Sequence, residues 1–129
     1  MLIVKPIEDK AQQEEFCKKC GAHFDAEFLA CSAHVSEELV GICQFEFKDG
    51  KAILHDIRQK PGVDDFEAMF IMTRGTLNFI DLCGYHTAVC NESAGDVTLI
   101  KAAGFKETDD GFFEMDLTDA FTSKCDHCK

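Results

Sequence analysis

An α+β fold is what this sequence predicts, on three observations. Two strand-like runs meet at Asp49-Gly50, a two-residue signal for a type I′ hairpin turn. A long helix with an apolar stripe follows the second run. Behind it come a strand, a capped helix, a Gly-Phe pair and a closing strand, so hairpins early in the chain give way to interleaved helices and strands.

The elements follow in order. Leu2 to Lys5 is a short strand ended by Pro6. Glu8 to Cys20 reads as a helix, with acids at its start, Lys18 and Lys19 in its last turn and Gly21 as its stop. Phe28 to His34 is a second strand, and Leu39–Lys48 with Lys51–Arg58 form the hairpin. A regular register about the Asp49-Gly50 turn sets Phe47 opposite Ala52, Phe45 opposite Leu54 and Cys43 opposite Asp56 on one face. The other face then carries Glu46 with Ile53, Gln44 with His55 and Ile42 with Ile57. A loop holding Lys60-Pro61-Gly62 leads to a helix capped by Asp64 or Asp65 and running to Cys83, before Gly84. Phe66, Met69, Phe70, Thr73, Leu77 and Ile80 recur at helical spacing, which buries that face. His86 to Cys90 is the next strand. Ser93-x-x-Asp96 has the pattern of a capping box for a helix that ends at Gly104, with Val97, Ile100 and Ala103 as its stripe. Phe112 to Leu117 is the last strand.

The bulk properties narrow the function. A chain of 129 residues, 46% hydrophobic and 29% charged, supports one globular core. Residues 1–121 are expected to form a single domain, with 122–129 a polar tail. No apolar run is long enough to span a bilayer, and the first residues lack the pattern of a secretory leader. A soluble, cytoplasmic protein is the expectation. Thirteen Lys and Arg are scattered among twenty-four acids, for a formal net charge of −11. That balance argues against nucleic acid and membrane surfaces as partners and favours an amine or another cationic molecule. Exposed sheet edges leave a homodimer open.

Asn91-Glu92-Ser93 opening a helix, Lys101-Ala102-Ala103-Gly104-Phe105 closing it, and Phe112-Phe113-Glu114-Met115-Asp116-Leu117 beyond together resemble the C-terminal half of the GCN5-related N-acetyltransferases (GNAT). The order β-α-β-β-β-α-β-α-β-β over Leu2 to Leu117 is similar to a minimal version of that fold, its usual second helix shrunk to Gly21–Glu27. The resemblance implies an α/β/α layered architecture, with helices on both faces of a mixed, mostly antiparallel sheet of six to seven strands. It also implies acetyl-coenzyme A (acetyl-CoA) as co-substrate and acetyl transfer to a small amine; a catalytically inactive relative that binds a ligand or partner is the alternative.

In that family the loop after the central strand carries Gln or Arg, two residues, Gly, one residue, then Gly or Ala, and its free amides receive the coenzyme's pyrophosphate. The matching stretch here is Arg58-Gln59-Lys60-Pro61-Gly62-Val63-Asp64-Asp65. By resemblance, Ile57, Arg58, Lys60, Gly62, Val63 and Asp64 would contact the coenzyme, and Asn91 its pantetheine arm unless it caps the helix. The bend has one glycine, a proline in place of a donor, and Asp64, Asp65 and Glu67 at the helix start. An acidic, glycine-poor bend is expected to hold a diphosphate poorly. Many family members place a proton-donating Tyr one turn before the Gly-Phe pair; this chain has Ile100 there. For a general base, Asp56 is the first candidate, since the register above puts it in the interior beside Cys43 and Leu54. His55 is the second, as imidazole suits proton transfer near neutral pH. Either is otherwise an ordinary strand residue.

Eight cysteines are many for this length, and without a leader they read as reduced thiols. Cys31, Cys43, Cys83 and Cys90 fall in strands or at a helix end, where a thiol packs as a small apolar group. Cys17-x-x-Cys20 and Cys125-x-x-Cys128, with His127 nearby, hold enough ligands for a tetrahedral zinc site if the fold brings the pairs together.

Overall fold

The structure, a computed structural model, describes residues 1–118 and 120. The Cys125-x-x-Cys128 pair, His127 and the expected domain boundary at residue 121 lie outside the described residues.

Seven strands form one sheet. They are β1 (Leu2–Pro6), β2 (Leu29–Val35), β3 (Glu38–Lys48), β4 (Lys51–Gln59), β5 (Thr87–Asn91), β6 (Lys106–Glu107) and β7 (Phe112–Asp116), in the order β1-β2-β3-β4-β5-β7-β6. Every neighbouring pair is antiparallel except β4 and β5. Three helices complete the fold: α1 (Lys10–Cys20), α2 (Phe66–Leu82) and α3 (Val97–Ala103). The sheet is therefore mixed and mostly antiparallel. The stretch 21–27 contains no helix.

Local chemistry explains the elements. Asp49 and Gly50 both adopt positive φ (54° and 78°), as a type I′ turn needs, and glycine takes the second position without strain. The α1 helix starts at an Asp9 cap, whose carboxylate accepts from the Ala11 amide at 2.9 Å. It buries Gln13, Phe16, Cys17 and Cys20, a stripe at helical spacing that includes one polar residue. The α2 helix is capped by Asp65 and buries Ala68, Met69, Met72, Thr73, Thr76, Leu77 and Ile80.

These stripes cover opposite faces of the sheet. Phe45, Leu54, Met72, Leu77, Ile80 and Ile100 belong to a large core that takes in α2 and α3. Phe16, Cys17, Cys20, Ala30, Leu39 and Ile42 form a smaller core under α1. Strand β3 is buried without interruption from Leu39 to Phe45, because both of its faces are covered.

Three expectations need correction. First, the hairpin register runs as expected from Lys48↔Lys51 to Phe45↔Leu54, then shifts at a bulge between Gln44 and Phe45. The extra residue on β4 is His55, so Asp56 pairs with Gln44, and Cys43 pairs with Ile57. Asp56 thus faces α1, not Cys43 and Leu54. Second, the helix expected from Ser93 is two pieces: a 3₁₀ turn at Glu92–Ala94 capped by Asn91, then α3 capped by Asp96. Third, Cys83 is exposed at the end of α2.

Candidate functional site

The centre of the site is the place where β4 and β5 part. These parallel strands pair only at Ala52↔Ala88 and Ile53↔Val89, and beyond that point they diverge. Two cavities lie at the divergence. The larger, about 350 Å³, is bounded by the end of β4, the start of α2 and the start of α3, with Ile57, Arg58, Gln59, Asp64, Phe66 and Asp96 in its lining. The smaller, about 240 Å³, is lined by Leu54, His55, Cys90, Asn91, Ser93 and Phe112.

His55 is the extra residue of the bulge. Its Nε2 lies 2.6 Å from Glu46 Oε2, and its ring stacks on Phe28 with centroids 4.1 Å apart and planes 7° from parallel. A carboxylate on one nitrogen and an aromatic face on the ring fix an imidazole in orientation. Glu46 shares a face with His55 in the expected register too, as its diagonal neighbour, whereas Phe28 comes from outside the hairpin and escapes a sequence reading.

Asp56 takes a different part. It is 9% exposed, accepts from Gln44 Nε2 at 2.8 Å, and lies 3.6 Å from Arg58 Nε. Gln44, fully buried, also donates to the His23 carbonyl at 2.7 Å and accepts from Gln13 Nε2 at 2.9 Å and from Cys17 Sγ at 3.2 Å. A polar chain thus runs from α1 through the sheet to Arg58. Asp56 is not among the residues lining either cavity. The sequence holds a signal for this chain: Gln13 sits on an apolar helical stripe, and Gln44 interrupts an apolar strand.

The bend between β4 and α2 uses many of its own donors. The Val63 amide donates to the Lys60 carbonyl at 3.0 Å, the Asp65 amide to Gln59 Oε1 at 2.8 Å, and the Ala68 amide to Asp65 Oδ1 at 3.0 Å. Gly62 is exposed and open at the turn of the bend. Lys60 is half-buried, and its amide donates to the Val40 carbonyl at 2.7 Å. The Arg58 and Lys60 side chains supply the positive charge here, and Asp64 and Asp96 oppose it.

Asn91 accepts from the Ser93 amide at 2.9 Å and so caps the 3₁₀ turn. Cys90 is buried, and burial pushes its thiol up to about 12, so it is an uncharged packing group at neutral pH. Cys17 and Cys20 are likewise pushed to about 11, chiefly by burial. Among the described residues no group of three or more His, Cys, Asp or Glu is placed to hold a metal. No described helix is long and apolar enough to cross a membrane.

No model of a known protein family matches the chain, and no curated protein matches it in sequence. Solved structures do match. The chain is similar to the ribosomal-protein-S18-alanine N-acetyltransferase from Escherichia coli, with a TM-score of 0.68 and 13% identity, covering 91% of this chain and 94% of that one. It is similar to an IAA acetyltransferase from Bacillus cereus, with a TM-score of 0.72 and 10% identity over 91% and 100%. A third is the PaiA N-acetyltransferase from Thermoplasma acidophilum in complex with coenzyme A, with a TM-score of 0.66 and 13% identity over 90% and 99%. The chain therefore has the GCN5-related N-acetyltransferase fold, an α+β sandwich with a mixed seven-stranded sheet. At these identities the likeness establishes architecture, and the chemistry has to be argued from the site.

Whether the residues present suit acetyl-coenzyme A can be judged part by part. Arg58 and Lys60 beside the larger cavity suit an anionic arm. The engaged amides and the acidic start of α2 weaken that cradle. Between the cavities the strands' gap is filled by the chain's own turn.

Proposed function

We propose that this chain is an acetyltransferase-like protein whose larger cavity receives acetyl-coenzyme A and whose smaller cavity receives a small amine or other cationic acceptor. One observation carries the reading: two cavities lie at the diverging ends of β4 and β5, with an oriented imidazole lining one and the Arg58 side chain lining the other. Ile57, Arg58, Lys60, Gly62, Val63 and Asp64 would hold the donor, and Asn91 would turn its free amide nitrogen toward the donor's arm. The coenzyme supplies an activated acyl group. His55, steadied by Glu46, is assigned to take the proton from the acceptor nitrogen as that nitrogen becomes the nucleophile. Asp56 is assigned to hold Arg58 in place. The net charge of −11 draws a cationic acceptor toward the protein.

A specific observation favours a second reading, an inactive relative that binds a ligand or partner. Ile100, at the position where many family members carry a proton-donating Tyr, is fully buried in the core. Equilibrium binding of acetyl-coenzyme A, followed by an assay of thiol release against a panel of polyamines and amino sugars, separates the two. Binding with thiol release supports transfer. Binding of an amine alone, with no change in melting temperature at millimolar acetyl-coenzyme A, supports the second reading.

A further inference from the structure

We infer that the segment Glu92–Gly95 is a gate closing the passage between the two cavities, so that this structure is the closed state of the site. The inference rests on reading those cavities as donor and acceptor chambers.

Where β5 moves away from β4, the 3₁₀ turn takes its place. Ser93 lines the smaller cavity and Gly95 the larger, so the wall between them is a single pass of chain. Two contacts press that wall onto β4. Arg58 Nη2 donates to the Ser93 carbonyl at 2.9 Å. Gly95 lies so close to Ile57 that a Cβ on it would stand 2.6 Å from the Ile57 carbonyl oxygen and 3.0 Å from the Ile57 Cβ. Gly95 is extended, with φ −179° and ψ −161°, a conformation open to any residue. Its lack of a side chain therefore serves the contact with β4 and not the backbone angle.

The same segment is built to swing. The 3₁₀ turn has three residues, with a cap, Asn91, that is exposed. It is separated from α3 by Gly95 and Asp96, and α3 begins afresh at its own Asp96 cap, accepting from Thr98 at 3.0 Å. Movement of the turn thus costs α3 none of its own hydrogen bonds. Ala94 alone seats the turn in the core, at 1% exposure. When the turn is displaced, the two cavities join along the exposed edge of β4. A thioester arm lying along that edge would then span them, with its acyl carbon facing the His55 side.

The substitution Gly95→Ala tests this, because the added methyl must push the turn from Ile57. Cys90 is 2% exposed in the smaller cavity, and Cys43, fully buried in the main core, reports on global loosening. Both thiols are followed by site-resolved mass spectrometry during iodoacetamide alkylation at pH 8. The expected result is Cys90 alkylation at least tenfold faster in Gly95→Ala, with Cys43 unchanged. Asn91→Ala, which loosens the turn from its other end, should accelerate Cys90 in the same selective way, and it decides the matter if Gly95→Ala does not fold. An unchanged Cys90 rate, or equal acceleration at Cys43, overturns the gate. Coenzyme A titration on the same proteins should show at least tenfold tighter binding to Gly95→Ala. Selective Cys90 exposure without coenzyme binding to either protein would uphold the gate and refute the donor chamber instead.

Discussion

Raising the pH should unfold this protein earlier than its charge alone suggests, and the buried thiols set the scale. Cys17, Cys20 and Cys31 are each raised from the ordinary 9.0 to about 11, and Cys90 to about 12, with burial the first cause in every case. Cys43 is also pushed well up, again by burial. In the unfolded chain these groups ionise from about pH 9, while in the folded chain they keep their protons. The folded state therefore binds more protons, and stability falls as pH rises. The contribution is fully present below pH 9 and is lost on the way to pH 11–12. At pH 10 each of the four thiols raised to about 11 or 12 costs about 1.4 kcal/mol, so those four together cost on the order of 5 kcal/mol, and Cys43 adds in the same direction. A domain of this size has about 5–15 kcal/mol in all. Urea unfolding under a phosphine reductant at half-unit steps from pH 8 to pH 10.5 should thus show a steep decline. Cys31→Ala should reduce that slope by roughly 1 kcal/mol per pH unit near pH 10, whatever its effect at pH 8. A stability that stays level to pH 10, or a slope indifferent to the removal of Cys31, would refute the reasoning.

Gln44→Leu should lower stability by about 2–4 kcal/mol, since it strips a donor from the Asp56 carboxylate and from the His23 carbonyl in a buried place; a shift in urea midpoint at constant m-value checks it. Ile100→Tyr should cost about 1–3 kcal/mol by overpacking and yield no gain in thiol release, because its site is closed core and not cleft; a gain in turnover would show that the side chain reaches the cavities after all. His34 is held below its ordinary 6.5, first by burial and then by Lys5. Its contribution to stability is whole above pH 6.5 and fades as pH falls, so urea midpoints taken from pH 7 to pH 5 should decline less in His34→Gln than in the parent.

Much of this architecture is legible in the chain because short-range chemistry decides it. Asp49-Gly50 can make one tight turn well, and that turn fixes the register of the strands beside it. The α2 stripe is regular enough to name Met69, Thr73, Leu77 and Ile80 as buried, while Phe66, at the helix start, is 48% exposed. The bulge at His55 is not legible, since no Gly or Pro marks it and it is set by how β4 must bend to satisfy the Gln44–Asp56 pair. That single residue decides which face Asp56 meets, and so sets the first base candidate against Gln44 and Arg58 instead of Cys43 and Leu54. The break at Gly95-Asp96 did have a signal, a glycine beside a second cap. A capping-box reading from Ser93 absorbs it into one helix, because Asp96 fits either as the box's last member or as a cap in its own right. Cys83 shows the limit of treating thiols as apolar by habit: it closes α2 as an exposed residue.

The departures from a nucleotide cradle share one physical character. Gln59 takes the Asp65 amide, Asp65 takes the Ala68 amide, and the Glu92–Gly95 segment takes the edge of β4. Each supplies from within the chain a partner that a bound coenzyme would otherwise provide, so the site is already satisfied from within. A ligand entering it must break those contacts first, and its apparent affinity is the intrinsic one scaled by the fraction of molecules that are open. If that fraction is about one in a hundred, binding weakens about a hundredfold, and a micromolar site behaves as one near 0.1 mM. On this account the tenfold gain expected of Gly95→Ala is a shift in population and not a new contact, and it should be matched by a similar factor in Cys90 exposure. Unequal factors would mean that the acidic bend, and not the turn, limits what the cleft can hold.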